Sequence, residues 1–139
     1  MARVPVRFVR SVLTRASTLP EVAARLPEGE SNVAIRITGD EEMAQLNRTY
    51  ADIPNATDVL SFTGIGDHLG DIALSWPAIE RQAQRFGHDA RTELALLAVH
   101  GLLHLLGWDH AVAGERKEMT RLTIAALKLS HITPARGRL

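Results

Sequence analysis

The stretch Glu93-Leu-Ala-Leu-Leu-Ala-Val-His100-Gly-Leu-Leu-His104-Leu-Leu-Gly107-Trp-Asp-His110 decides how this chain reads. From Glu93 to Leu106 it is apolar nearly all round. A helix without a polar face is buried in a core or in a membrane, and this one is too short to span a bilayer. Two imidazoles interrupt it. His100 and His104 are four residues apart, which on a helix offsets them by roughly 40° and about 6 Å on one face. Both can point at one ion. Gly107 follows three residues later, where a glycine can take the left-handed conformation that closes a helix and turns the chain back. The turn Gly107-Trp-Asp-His110 then brings His110 towards the same ion. Three neutral imidazoles bind Zn2+, or Ni2+ and related metals, and leave a fourth position for water. Any one of these histidines alone reads as a hydrogen-bonded core residue. Three at this spacing, on a buried helix closed by glycine, point to one metal ion per chain.

Asp109, beside the third candidate ligand, either orients a ligand histidine or caps the turn. His68, His88 and His131 lack partner spacing and are expected at the surface. The spacing overlaps the metzincin pattern H-E-x-x-H-x-x-G-x-x-H with one difference, Gly101 in place of glutamate. That glutamate is the general base of those proteases, so a metallopeptidase is disfavoured although the metal cradle survives.

Outward from this segment, Val4 to Val9 alternates apolar and basic residues and reads as a short edge strand. Val12 to Leu26 reads as a helix interrupted at Pro20, and Pro27 to Glu30 as a turn. Val33 to Ile37 alternates with period two, a half-buried strand. Asp40 is expected to cap a helix whose first turn carries Glu41 and Glu42, as the helix dipole favours. Pro54 to Thr57 reads as a loop, and Asp58–Phe62 and Leu69–Leu74 as strands joined by the glycine-rich Thr63–His68. Ser75-Trp-Pro77 starts a helix that stops at Gly87, and Asp89 caps the next. Glu115 to Leu129 is a last amphipathic helix. Helices and strands alternate irregularly, so the expectation is an α+β fold, one domain over residues 1–139, with a small mixed sheet packed against helices.

Composition narrows the function. With 16 basic and 16 acidic residues the formal net charge is zero, which argues against strong, non-specific phosphate binding. Cysteine is absent, which excludes disulfides and thiolate metal sites. Arginines interrupt the apolar residues of the first 17 positions, so neither a secretory signal nor a membrane span is expected, and the location expected is cytoplasmic.

The segment His100-GLLHLLGWD-His110 resembles the H-G-x-L-H-L-x-G-[YW]-D-H signature of the YbeY endoribonucleases, bacterial rRNA maturation factors. Leu46-Asn-Arg-Thr-Tyr50, Thr57-Asp-Val-Leu-Ser-Phe62 and Gly70-Asp-Ile-Ala-Leu-Ser75 resemble three further family segments in order, and Glu115 and Met119 suit the helix after the signature. The resemblance covers about two-thirds of the chain, from Val33 to Ile124. It implies a zincin-like fold and a metal-dependent endoribonuclease acting on single-stranded RNA. The implied substrate is the 3′ end of 16S rRNA, in maturation and quality control with the small ribosomal subunit and its assembly factors; no DNA partner is implied. His100, His104 and His110 match the family's metal ligands. Thr57, Asp58, Ser61 and Phe62 match a segment that lines the cleft beside the metal. One position departs: Tyr50 is followed by Ala51, where the family carries an arginine that serves the active site. Asp109 and Asp71 are the candidates to accept or orient a proton. A non-catalytic ribosome-assembly factor with a structural metal is the alternative.

Overall fold

The computed structural model describes residues 5–51, 59–109 and 111–139, and of Tyr50 and Ala51 the backbone alone. In chain order the elements are α1 (Val6–Ala16), α2 (Pro20–Ala23), β1 (Asn32–Thr38), α3 (Asp40–Leu46), a π-helical turn (Asn47–Ala51), β2 (Val59–Thr63), β3 (His68–Ser75), α4 (Trp76–Phe86), α5 (Ala90–Leu105) and α6 (Ala113–Leu129). The expected loop at 54–57 lies outside the described residues.

The three strands form one sheet in the order β1-β3-β2, with β1 parallel and β2 antiparallel to β3. This is the small mixed sheet expected, packed with helices in an α+β arrangement. α5 is its organising element. It touches α1, α4 and α6 as well as β2 and β3, and Leu94, Ala95, Leu96, Leu97, Ala98 and Val99 are all buried along it. Each fully buried leucine contributes about 1.5–3 kcal/mol, and so the helix needs no polar face of its own. Among the described residues no helix is long and apolar enough to cross a membrane.

Local signals set most of the boundaries. Asp89 caps α5 by accepting the Thr92 N–H at 2.8 Å, and Ser75 caps α4 by accepting the Ala78 N–H at 3.2 Å. Gly87 and Gly107 both adopt left-handed backbone (φ 82° and 100°) where the helices stop.

Three expectations are corrected. Val4–Val9 was expected as a strand, but residues from Val6 onward belong to α1. Val9, Val12, Leu13 and Ala16 recur at helical spacing, and that face is buried against α5 and α6. Asp40 does not cap α3. Gly39 holds the cap position, while the Asp40 carboxylate accepts the Ser75 hydroxyl (2.6 Å) and pairs with Arg81 (2.8 Å), tying α3 to α4. His88 is not a surface residue, because its side chain is 7% exposed and bonded to Glu93.

Candidate metal centre and cleft

His100 and His104 project from the same face of α5 with ring centroids 4.5 Å apart and planes at 79°. Their Nε2 atoms approach to 3.0 Å. Two nitrogens that share a tetrahedral zinc at about 2.0–2.1 Å stand roughly 3.3 Å apart. The pair therefore fits a zinc-type ion in both donor chemistry and separation. His110, the third ligand expected, lies outside the described residues, as do Thr57 and Asp58; the side chain of Ala51 is likewise not described.

The two rings sit on the floor of an open cleft of about 590 Å³. α5 supplies Leu96 and Leu97 beside them. β2, an edge strand of the sheet formed by the described strands, lines it through residues such as Ser61 and Thr63, and Arg138 and Leu139 of the C-terminal segment line it as well.

Two glycines allow this closeness. A Cβ built at Gly101 would lie 2.9 Å from Ile72 Cγ2 and 3.2 Å from Ser61 Oγ. The helix thus lies against the sheet where any side chain would push it off, and the Ser61 hydroxyl donates to Gly101 O at 3.3 Å. Gly101 does more than omit a glutamate: there is no room for one. Gly70, with φ 153°, has its Cβ direction blocked by Phe62 O at 2.2 Å and by Leu105 Cδ2 at 2.6 Å. The end of α5 can therefore settle onto the β2–β3 hairpin.

The turn after His104 is built tightly. Trp108 N–H bonds Leu103 O (3.1 Å) and Gly107 N–H bonds His104 O (3.0 Å), the double closure that a left-handed glycine permits. Trp108 is 1% exposed, so it packs the turn and offers no face to a base. Arg25 lies 3.5 Å above its ring and donates to Leu106 O at 3.3 Å.

The structure places the two expected proton-handling residues differently. Asp71 is on β3 beside Ile72, and since neighbours on a strand alternate, it faces away from α5. It is 53% exposed, bonds His68, and lies with Phe62 on the other side of the sheet. Asp109 is exposed and accepts the Ala111 N–H at 2.9 Å, a turn-stabilising contact. Of the segment at 57–62, Ser61 lines the cleft and Phe62 does not. Arg138 at the cleft and its buried partner Glu93 went unanticipated. The signal for Glu93 was present: a lone carboxylate at the head of an all-apolar helix requires a cation.

A family model described as Endoribonuclease YbeY matches residues 6–130. The chain belongs to the YbeY family. The Endoribonuclease YbeY of Chloroflexus aurantiacus is 42% identical over 111 residues, 71% of this chain and 71% of that protein. The Endoribonuclease YbeY of a Picosynechococcus strain is 38% identical over 129 residues, covering 84% and 79%. Among solved structures, the solution structure of TM1509 from Thermotoga maritima superposes with a TM-score of 0.63 over 94% of this chain and 88% of that one. At 20% identity that likeness speaks for the fold alone.

Proposed function

We propose that this YbeY member is a metal-dependent, single-strand-specific endoribonuclease with a zincin-like centre, in which His100, His104 and His110 hold one Zn2+, with Ni2+ as an alternative ion. The observation that carries the reading is the 3.0 Å convergence of the two Nε2 atoms on the floor of an open cleft, in a chain whose relatives are named Endoribonuclease YbeY. When bound, the ion supplies Lewis acidity at a phosphate oxygen and favours ionisation of water near neutral pH.

The chain's own residues supply the rest. β2 lies at the edge of the sheet formed by the described strands and lines the cleft beside the histidines. Gly101, packed against Ile72, leaves no room at its own position for the glutamate that serves as base in the related peptidases, which weighs against peptide hydrolysis. Asp109 shapes the turn that leads to His110.

The physiological substrate proposed is rRNA, the 3′ end of 16S rRNA in particular, acted on in the cytoplasm during small-subunit maturation and quality control. The resemblance of the four sequence blocks supports that choice. To test the reading, protein of measured zinc content is incubated with a single-stranded 16S 3′ fragment and with the same sequence in duplex. Endonucleolytic cuts confined to the single strand are expected. Intact RNA at full zinc occupancy would overturn the enzymatic reading.

A further inference from the structure

The C-terminal segment is tied down by a buried carboxylate that the histidines do not use. α6 ends at Leu129, and in the turn that follows the left-handed backbone of His131 (φ 58°) lets the Ile132 N–H reach Leu127 O at 2.9 Å and reverses the chain. The returning segment donates its Ala135 N–H to His88 Nδ1 at 2.9 Å, which leaves the ring proton on Nε2, 2.7 Å from Glu93 Oε1. Arg138 closes the cluster. Its Nε lies 3.0 Å from Oε1 and its Nη2 2.7 Å from Oε2, with the guanidinium 4.5 Å above the Phe86 ring. A carboxylate fully out of water is stable only when donors saturate it, so Glu93 dictates where this segment runs.

It runs to the cleft. Arg138 and Leu139 line it, and among the described lining residues Arg138 is the one permanently charged side chain and none has an acidic side chain. Glu93 is 0% exposed and Arg138 15%, so the ion pair presents its positive end to the cleft. The strand that would occupy the cleft is a polyanion.

Resting on the RNA reading above, we infer that Arg138 is a substrate-positioning residue: locked by Glu93 in the cleft lining, its guanidinium takes a phosphate of the strand that lies over His100 and His104. Arginine suits the role because its planar fork can be fixed by one anion while its charge faces another. Glu93 acts through Arg138 and meets no RNA itself.

The test is the salt dependence of binding. Zinc-loaded wild type, Arg138→Met and the double variant Glu93→Gln/Arg138→Met are mixed with a fluorescent single-stranded RNA. Anisotropy is read in the first seconds, before turnover, across a sodium chloride series. Each phosphate neutralised on a single strand contributes about −0.7 to the slope of log affinity against log salt. Both variants should bind about tenfold more weakly at low salt, as loss of one charge-assisted contact implies. Their slopes should flatten by about 0.7. The double variant guards against misfolding, since it leaves no unpaired charge buried. A merely structural Arg138 would change melting temperature and leave the slope where it was. Salt-dependent binding by wild type with unchanged slopes in both variants would overturn this inference and leave the RNA reading standing. Wild type that binds no RNA at any salt would overturn both.

Discussion

The Nε2 atoms of His100 and His104 face each other across 3.0 Å from successive turns of a helix that is otherwise buried. Two N–H groups cannot point at one another at that distance. One ring must offer a lone pair, and a shared cation satisfies both. An ion there stabilises the fold by mass action, about 2.7 kcal/mol when free zinc is a hundredfold above its dissociation constant. Thermal melts with and without chelator should therefore separate for wild type and coincide for His104→Ala.

Gly101→Ala should destabilise the protein although alanine is the better helix former by about 1 kcal/mol. The new methyl meets Ile72 Cγ2 at 2.9 Å, and overpacking of this kind costs about 1–3 kcal/mol. In an Ile72→Ala background the same substitution should cost less. A double-mutant cycle by urea unfolding checks this, and additive effects would contradict the packing argument.

The Glu93 cluster makes stability depend on acid. Burial acts to raise the Glu93 pKa, but hydrogen bonds from Arg138 and His88, and the charge of Arg138, outweigh it and hold the carboxyl below its ordinary 4.5. A pKa depressed on folding contributes stability that is fully present above the ordinary value and is lost as pH falls below 4.5 through the folded value. Wild type should lose its advantage over Glu93→Gln across that interval in urea melts. Arg138→Met should cost about 3 kcal/mol at pH 7 by leaving a buried carboxylate short of its cation, and Glu93→Gln should restore part of that loss.

Arg25→Met should lower stability by about 1 kcal/mol, the scale of an exposed cation–π contact. Because Arg25 lies over Trp108 and bonds Leu106 O in the turn after His104, zinc affinity should fall with it. Competition with a chromophoric chelator measures the second effect. Unchanged affinity would mean that the turn holds its shape without Arg25.

Asp109 and Asp71 can be separated by conservative replacement. Asp109→Asn keeps an acceptor for the Ala111 N–H and should cleave RNA as wild type does, whereas Asp109→Ala should retain zinc less well. Asp71→Ala, on the far face of the sheet, should leave cleavage within about twofold, as expected of surface changes remote from a site. A loss of a hundredfold or more in Asp109→Asn would make that carboxylate a proton carrier.

The fold was most legible where one local rule sufficed. The all-apolar run of α5, the fourfold spacing of its histidines, the left-handed Gly107 and the caps at Ser75 and Asp89 each depend on residues within a turn or two. α1 was misread because Val6-Arg-Phe-Val9 alternates over too short a window to distinguish period two from 3.6, and packing on α5 and α6 decided it. The Glu93–Arg138 pair spans 45 residues, and no spacing rule predicts a partner at that distance. Asp71 reads from the sequence as a candidate to accept or orient a proton, yet strand alternation turns it away from the cleft once Ile72 is committed to α5.

The central claim is that the histidine centre cuts RNA through its metal. The most direct measurement is the cleavage rate of a single-stranded RNA against zinc occupancy, for wild type and for His104→Ala of confirmed fold. The rate should rise in proportion to bound zinc up to one ion per chain and be absent in His104→Ala. A rate independent of zinc, or retained in His104→Ala, would contradict the account.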